Sequence, residues 1–512
     1  HYNLGIALFD QRRPEDAEAA LRRALALDPD SVGAHNNLAV VLSELGRYEE
    51  AEDSVRRAID LDPEHGEAHN NLGVVLRGLG HFEAAEDAYR RALALDPGNA
   101  DAHSNLIFVL DFGADYDLAE KQAERRRWAE QHEAPLATEI QPHSNDRNPD
   151  RRLRIGYVSA DFRHHSAAAS FGPVLFNHDP ENFEVFCYSC SVREDHMTDR
   201  IRDAAAEWRA CWSVPDAAVA EQIRADRIDV LVDLSGHSAG NRLLVFARKP
   251  APVQVTAWGH ATGTGLETMD YFMADPVFVP PEEESLYAEK IHHLPSGLAY
   301  MPPEECPAVG PLPAEANGFI TFGSFNRLDK VSDETLGLWS EILAAVPNSR
   351  LMIKAQSLDN EAIRGQFGER LFEAGFEESR VDLMGGSSQV QHLDAHNRVD
   401  IALDPFPHGG GITTMESLWM GTPVVTLRGP TIAGRTTASA LIVHGLDRFI
   451  AETTDSYRHI AAEAAGDIDE LARLKASLRQ TVATSPAGDA AQYTAAVEAA
   501  YREMWREWCA AR

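Results

Sequence analysis

The chain of 512 residues has a hydrophobic fraction of 44% and an aromatic fraction of 8%, the composition of a globular protein with roughly two to four domains. Its 80 acidic and 47 basic residues give a formal net charge of −33, which argues against nucleic acid or an anionic membrane as a partner. The sequence contains no apolar stretch of about 18 residues and no leader-like start, so we expect a cytoplasmic protein.

The N-terminal part of the chain repeats with a period of 34 residues. A small residue follows each repeated Leu and Asp-Pro closes each unit, which is the tetratricopeptide pattern of two antiparallel helices. Arrays of this kind present a concave groove that holds a peptide or another protein. Because the sequence begins inside a unit, we expect further repeats before it. The repeated positions are His1, His35, His69 and His103; Leu4, Leu38, Leu72 and Leu106; Ala17, Ala51 and Ala85; and Pro29, Pro63 and Pro97.

One asparagine recurs at the same position of each unit and forms a ladder on successive copies of one helix. An amide side chain can pair with the backbone of a peptide of any sequence, so the ladder predicts a peptide contact in the groove. The alternative is that these side chains cap or bridge neighbouring helices. The ladder consists of Asn3, Asn37, Asn71 and Asn105.

The rest of the chain has the pattern of an α/β protein. We assign residues 1–112 to the repeats and 113–152 to a helical linker, which ends in a polar stretch rich in Asn, Asp, Arg and Pro. From residue 153 onward, short apolar runs alternate with amphipathic stretches, as expected for parallel strands covered on both faces. A Pro- and Glu-rich interval separates an N-terminal lobe, 153–310, from a C-terminal lobe, 311–512, that ends in two helices. Two such lobes leave a cleft at the carboxyl ends of their strands.

The strongest local signal lies between Asp404 and Pro423, where a strand is followed by a turn rich in glycine and threonine and then by a helix. Glycines permit close backbone approach, and the free amides at a helix start hold an anion. Thr413 and Thr414 add hydroxyl donors, and Glu416 can accept from sugar or ribose hydroxyls. An ordinary capped turn is the alternative, and the Walker sequence is absent.

At this block the chain resembles a known family, the tetratricopeptide-bearing O-GlcNAc transferases and their SPINDLY-like relatives. The resemblance covers nearly the whole chain, and it implies an α-helical tetratricopeptide superhelix followed by an α/β GT-B fold with two Rossmann-like lobes. In that family the second lobe binds most of the nucleotide sugar. The motifs occur in family order: the repeats, Arg154 to His165, Phe183 to Tyr188, Leu231 to Gly236, Phe322 to Lys330, and the Gly/Thr block.

The resemblance also implies roles for charged residues beside the cleft. Lys330 matches the family's catalytic lysine, where a cation can neutralise a departing diphosphate. Arg327 stands where family members often carry an uncharged amide, and it can add a phosphate contact. Asp161 and His165 follow the first strand of the first lobe, and a neutral His can take a proton from a hydroxyl. Another proposed base of the family precedes a Ser-x-Leu motif, which corresponds here to His103 or to Ala102 beside it.

The donor site is implied in the same way. Gln389 replaces a lysine of the family and Gly411 stands where the animal enzymes carry His, so the resemblance leaves the donor open. His237 and His260 are expected either to line the cleft or to be structural. The residues expected to bind the nucleotide sugar are Arg327, Ser387, Ser388, Gln389, His392, Gly410, Gly411, Ile412, Thr413, Thr414, Glu416 and Gly259.

The resemblance therefore implies an inverting protein O-glycosyltransferase, and we expect it to move GlcNAc from UDP-GlcNAc to Ser or Thr of proteins held in the groove. The alternatives are the same fold with GDP-fucose or UDP-glucose as donor, or an inactive tetratricopeptide scaffold. No cofactor or metal is expected, because the Asp-x-Asp pairs Asp115/Asp117 and Asp467/Asp469 do not follow strands. The five scattered cysteines fit reduced thiols.

Overall fold

The computed structural model of the chain describes residues 1–113 and 116–511, so Asp115 of the pair considered above lies outside the described residues. The chain divides into two compact units. The helical unit contains His1–Tyr116, Ala123–Pro135 and His237–Ala239, and the α/β unit contains Asp117–Gln122, Leu136–Gly236 and Gly240–Arg512. Within the described ranges, no helix is long and apolar enough to cross a membrane.

The helical unit consists of paired helices that repeat as predicted. The repeated alanines are fully buried where two helices cross, and a Cβ at Gly73 would lie 2.5 Å from the ring of Tyr89 on the next helix. The prediction of helical repeats is confirmed. The repeat helices are α1 (Tyr2–Asp10), α2 (Pro14–Leu27), α3 (Val32–Glu44), α4 (Tyr48–Leu61), α5 (Gly66–Gly78), α6 (Phe82–Leu95) and α7 (Ala100–Phe112). The next helix, α8 (Leu118–Trp128), has residues in both units and continues as a π turn (Ala129–Glu133) and a 3-10 turn (Ala134–Glu139).

The first lobe of the α/β unit is a parallel sheet with the strand order β3-β2-β1-β4-β5-β6-β7. Its central strands are buried on both faces, which explains their continuous apolar sequences. The strands are β1 (Leu153–Ser159), β2 (Phe183–Ser189), β3 (Glu207–Ala210), β4 (Val230–Asp233), β5 (Val253–Thr256), β6 (Tyr271–Ala274) and β7 (Lys290–His293). The helices between them are α9 (Ser166–Asn177), α10 (His196–Ala204), α11 (Asp216–Ala225) and α12 (Leu243–Phe246).

The second lobe repeats this architecture with the order β10-β9-β8-β11-β12-β13, again with parallel pairing. Two doubly wound parallel sheets confirm the predicted GT-B class. The strands are β8 (Thr321–Ser324), β9 (Arg350–Lys354), β10 (Val381–Met384), β11 (Ile401–Leu403), β12 (Val424–Leu427) and β13 (Ile450–Ala451). The helices are α13 (Pro313–Asn317), α14 (Asp333–Ala345), α15 (Glu361–Glu373), α16 (Gln389–Ala395), α17 (Ile412–Trp419), α18 (Ile432–Val443), α19 (Thr454–Gly466), α20 (Ile468–Ala483) and α21 (Ala490–Ala510).

The last helix, α21, packs on the first lobe although it follows the second in sequence. Its buried side chains, among them Tyr501 and Trp505, belong to the same apolar cluster as β1 and α9. The polar stretch before β1 is held against this helix, since Trp505 Nε1 donates to the carbonyl oxygen of Asn148 at 3.2 Å. The domain boundaries at residues 112, 152 and 310 stay a prediction.

A partly buried ion pair also joins the two lobes. The guanidinium of Arg435, on α18, makes two hydrogen bonds of 2.6 and 2.7 Å to the carboxylate of Glu283 in the first lobe. Arg435 also donates to the carbonyl oxygen of Phe278 at 3.3 Å. One turn further along α18, Ser439 Oγ donates to Asp275. The lobes are therefore tied by charge as well as by α21.

Candidate active site

A glycine turn at the carboxyl end of β11 leads into helix α17. The amide of Gly409 donates to the carbonyl oxygen of Ala433 at 3.0 Å, and the amide of Gly410 donates to Asp404 Oδ1 at 2.7 Å. A Cβ at Gly410 would lie 2.6 Å from Thr414 Oγ1, so this position needs glycine. Helix α17 begins after Gly411 without a side-chain cap, and the amides of its first turn have no partner within the helix. This geometry suits a phosphate group.

The residues that follow the turn are held from two sides. Thr413 Oγ1 donates to Asn326 Oδ1 at 3.1 Å, which links α17 to the loop after β8. Thr414 Oγ1 lies 2.9 Å from Thr437 Oγ1 of α18. Ile412, the first residue of α17, packs its side chain against the apolar core of the lobe. The predicted phosphate-binding residues are thus brought together on one turn.

Lys330 reaches this turn from the loop after β8. Its Nζ donates to the carbonyl oxygen of Gly409 at 2.7 Å. Burial, together with the charge of Arg327, lowers the pKa of Lys330 to about 8, although Asp404 and Asp329 oppose the change. Arg327 is exposed and pairs with Asp329 at 2.9 Å. The turn and the loop after β8 therefore place a cation beside a helix start.

Asp161 and His165 lie at the carboxyl end of β1, in the opposite lobe. His165 Nδ1 accepts from the amide of Ala167 at 3.3 Å and lies 3.5 Å from Asp161 Oδ2. Burial lowers the pKa of His165, and the negative charge of Asp161 raises it in opposition. The positive charges of Arg163 and Arg327 lower the pKa further. The ring is therefore neutral near pH 7. When Nδ1 accepts from Ala167, the hydrogen is on Nε2; a base at Nε2 requires the other tautomer, in which Nδ1–H faces Asp161.

The predicted base-binding residues gather around one carboxylate. Glu416 Oε1 accepts from Gln389 Nε2 at 3.1 Å, and Glu416 Oε2 lies 3.4 Å from His392 Nε2. Ser388 caps α16, because its Oγ accepts from the amide of Gln391 at 3.3 Å, while Ser387 is exposed beside it. Sequence reasoning expected these residues separately and did not predict that Glu416 would connect them.

His103 lies in the helical unit with both ring nitrogens engaged. Its Nδ1 is 3.0 Å from His132 Nε2 and its Nε2 is 3.1 Å from Glu124 Oε1. Burial lowers the pKa of His132 to about 4, so His132 is neutral. His237 belongs to the same unit, where its Nδ1 lies 3.2 Å from Ser104 Oγ. A direct role for His103 as a base stays a prediction.

Two other expected sites show structural reasons for their residue types. A Cβ at Gly259 would lie 2.0 Å from the carbonyl oxygen of Leu234, so close backbone packing already requires glycine there. The asparagine ladder bridges adjacent repeats, as in the alternative interpretation. Three of its members donate hydrogen bonds: Asn37 to Tyr2 at 3.1 Å, Asn71 to Asn36 at 2.8 Å and Asn105 to Asn70 at 3.2 Å. The fourth member, Asn3, is exposed. Peptide binding by the ladder stays a prediction.

The described part of the chain contains no group of three or more His, Cys, Asp or Glu side chains arranged to hold a metal ion. That the reaction proceeds without a metal stays a prediction. Sequence reasoning missed the supporting roles of Asp404, Asn326 and Thr437. Asp404 stood inside the Gly/Thr block, and its place at the end of a buried strand was the only signal available.

Comparisons with known proteins match both the repeats and the α/β part of the chain. A family model described as Glycosyl transferase family 41 matches residues 102–301 and 311–497, and a Tetratricopeptide repeat model matches residues 2–64 and 42–100. Sequences named Probable UDP-N-acetylglucosamine--peptide N-acetylglucosaminyltransferase SPINDLY, from Petunia hybrida and Arabidopsis thaliana, are 40% and 39% identical over 371 residues. The match covers 71% of this chain but only 40% and 41% of those relatives.

A solved structure supports the fold over nearly the whole chain. A mutant of the Thermobaculum terrenum O-GlcNAc transferase superposes with a TM-score of 0.93 and 37% sequence identity. The match covers 99% of this chain and 97% of that one.

Proposed function

Because the chain belongs to glycosyl transferase family 41, we propose that it is an inverting protein O-glycosyltransferase that moves GlcNAc from UDP-GlcNAc to Ser or Thr. One observation carries the proposal: Lys330 bonds to the glycine turn, at 2.7 Å from Nζ to the Gly409 oxygen, beside the start of α17. A cation and a helix start at the carboxyl ends of parallel strands form a site for a nucleoside diphosphate.

The second lobe acts on the leaving group. When the glycosidic bond breaks, negative charge develops on the diphosphate, and the Lys330 ammonium and the amides that begin α17 stabilise it. Thr413 and Thr414 supply hydroxyls at the same turn. Gln389, His392 and Glu416 hold the nucleoside end of the donor. These groups perform the task that a divalent cation performs in other enzymes, so no metal and no cofactor is required.

The first lobe acts on the acceptor. The acceptor hydroxyl attacks the anomeric carbon from the face opposite the departing diphosphate, which inverts the configuration. In the tautomer that carries its hydrogen on Nδ1, His165 Nε2 takes the hydroxyl proton, and Asp161 Oδ2, 3.5 Å from Nδ1, stabilises the imidazolium that forms. Protein acceptors are held by the repeats.

The donor is proposed from the names of the relatives. The SPINDLY proteins are named for UDP-N-acetylglucosamine and a peptide acceptor, and the solved neighbour is named an O-GlcNAc transferase. GDP-fucose and UDP-glucose are the competing donors, and an inactive scaffold is the competing function. The chain spans about 40% of the length of its curated relatives. The proposal about acceptors therefore concerns this chain and is not taken from the whole of those proteins.

Calorimetry with UDP and GDP, followed by hydrolysis assays with the three donors, tests the proposal. We expect UDP to bind more tightly than GDP and UDP-GlcNAc to be turned over fastest. Mass spectrometry of acceptor proteins should then show GlcNAc on Ser or Thr, with unchanged transfer in EDTA. A preference for GDP would reassign the donor, and a folded chain that binds neither nucleotide would be the scaffold. Loss of transfer in EDTA that magnesium restores would refute metal independence.

A further inference from the structure

Asp404 is a buried carboxylate directly beneath the glycine turn. It follows β11 and has 1% of its surface exposed. Its Oδ1 accepts from the amide of Gly410 at 2.7 Å, and its Oδ2 accepts from Thr426 Oγ1 at 2.8 Å. Both donors are neutral, so these bonds orient the carboxylate without cancelling its charge. Asp404 therefore holds Gly410 in place, and the neighbouring residue, Gly409, accepts the hydrogen bond from Lys330.

Three charged groups act on the Lys330 ammonium. Arg327 repels it, whereas Asp329 and Asp404 attract it. Asp329 already pairs with Arg327 at 2.9 Å, so these two charges largely offset each other. Asp404 is the fully buried member of the set, where charges interact strongly because water screens them little. Burial raises the pKa of Asp404 above its ordinary value, although hydrogen bonds from Thr437, Thr426 and Gly410 and the charge of Lys330 oppose the rise.

We propose that Asp404 is a positioning residue for Lys330: its carboxylate fixes the glycine turn that accepts from the lysine and supplies the negative charge that keeps the ammonium protonated before a diphosphate arrives. An unpaired ammonium in this site loses its proton easily, because burial favours the neutral amine. A neutral amine cannot stabilise a leaving diphosphate. The catalytic meaning rests on the proposed function, whereas the link between Asp404 and Lys330 exists in the protein without substrate.

Asp404→Asn tests the link, with Asp400→Asn as its matched control. Both carboxylates are buried at the ends of β11 and accept from backbone amides, but Asp400 accepts from Ala314 and Thr321, both at 2.8 Å, and faces Lys475 rather than Lys330. The sequence contains six lysines, so NMR of the chain after reductive ¹³C-methylation gives few signals to resolve. The spectrum of Lys330→Arg identifies the Lys330 signal.

We expect the titration midpoint of Lys330 to fall by about one pH unit in Asp404→Asn and to stay unchanged in Asp400→Asn. The alkaline limb of kcat/KM for donor hydrolysis should move by the same amount. An unchanged Lys330 midpoint in folded Asp404→Asn would overturn the proposal. A shifted midpoint in a chain that hydrolyses none of the three donors would support the link and refute the proposed function instead.

A reciprocal measurement covers the case in which Asp404→Asn does not fold. Linkage requires that removing the ammonium in Lys330→Met destabilise the ionised Asp404. The loss in melting temperature relative to wild type should therefore be present near pH 7 and shrink as the pH falls and Asp404 becomes protonated. A loss that is the same across this pH range would overturn the proposal.

Discussion

Lys330 Nζ donates a 2.7 Å hydrogen bond to the carbonyl oxygen of Gly409. The bond joins the loop after β8 to the turn after β11, two strands that are neighbours in the sheet. The amide of Gly409 is itself held by Ala433, so the carbonyl oxygen is a fixed acceptor. A lysine oriented in this way needs little rearrangement to meet a diphosphate at the turn, which is the preorganisation that electrostatic catalysis requires.

Replacing Lys330 by Ala should lower the rate of donor turnover about 100-fold or more, because the charge of the leaving group loses its cation. The fold should remain, since Lys330 ends a one-turn 3-10 helix on a loop. Steady-state kinetics and circular dichroism measure the two effects. Lys290→Ala is the matched control, because this exposed lysine pairs with Glu507 away from the turn. A Lys330 variant within about twofold of wild type would contradict the assignment.

The pH dependence of kcat/KM follows from the same two groups. Lys330 must be charged, so activity should fall as the pH rises through its pKa of about 8. His165 must be neutral, and because its pKa is lowered by burial, activity should persist below the usual histidine value of about 6.5. The expected profile is a bell with its alkaline limb near pH 8. In Lys330→Arg the alkaline limb should disappear, since arginine stays charged; an unchanged limb would assign it to another group.

His165 has a structural role as well as the proposed chemical one, and two substitutions separate them. His165→Ala removes both the ring and the acceptor for the amide of Ala167, whereas Asn can still cap α9. Both variants should lose acceptor transfer and keep nucleotide affinity, but only Ala should also lower the melting temperature. Transfer that survives in His165→Asn would show that the residue is needed only for capping.

The sequence predicted the features that repeat or alternate locally. The period of 34 residues predicted the helix pairs, and the alternation of short apolar runs with amphipathic stretches after residue 153 predicted the parallel strands, among them β9 and β12. Residues of one motif, such as Thr413 and Thr414, were also found together. Each of these signals lies within a short segment, where local pattern and structure are directly connected.

Contacts between distant segments were not predictable in this way. Arg435 and Glu283 are 152 residues apart, and the sequence around each residue does not indicate that the two form a pair. The packing of α21 on the first lobe was likewise not predictable. The amphipathic pattern of this helix shows that one of its faces is buried, but it does not show which part of the protein covers that face. The bond between Asn71 and Asn36 arises only once two repeats stack.

The asparagine ladder can be tested with that bond. Asn71 is half-buried and Asn36 is buried, and the two share one hydrogen bond of 2.8 Å. If the ladder binds acceptors, Asn71→Ala should weaken glycosylation of proteins and leave donor hydrolysis intact. Asn36→Ala, the matched control, should lower the melting temperature by a similar amount without that selective loss. Equal effects of both variants on protein glycosylation would assign the ladder to bridging alone.

The ion pair between the lobes gives the last prediction. Arg435 and Glu283 retain 9% and 23% of their side-chain exposure, so removing either one leaves a poorly solvated charge. Arg435→Met or Glu283→Gln should therefore cost about 3 kcal/mol, and the double variant should lose less than the sum, with a coupling of about 1–3 kcal/mol. Chemical denaturation measures these free energies of unfolding. The exposed pair of Arg458 and Glu341, at 2.9 Å, is the control and should contribute less than about 1 kcal/mol. Additive losses for Arg435 and Glu283 would mean that the pair does not tie the lobes together.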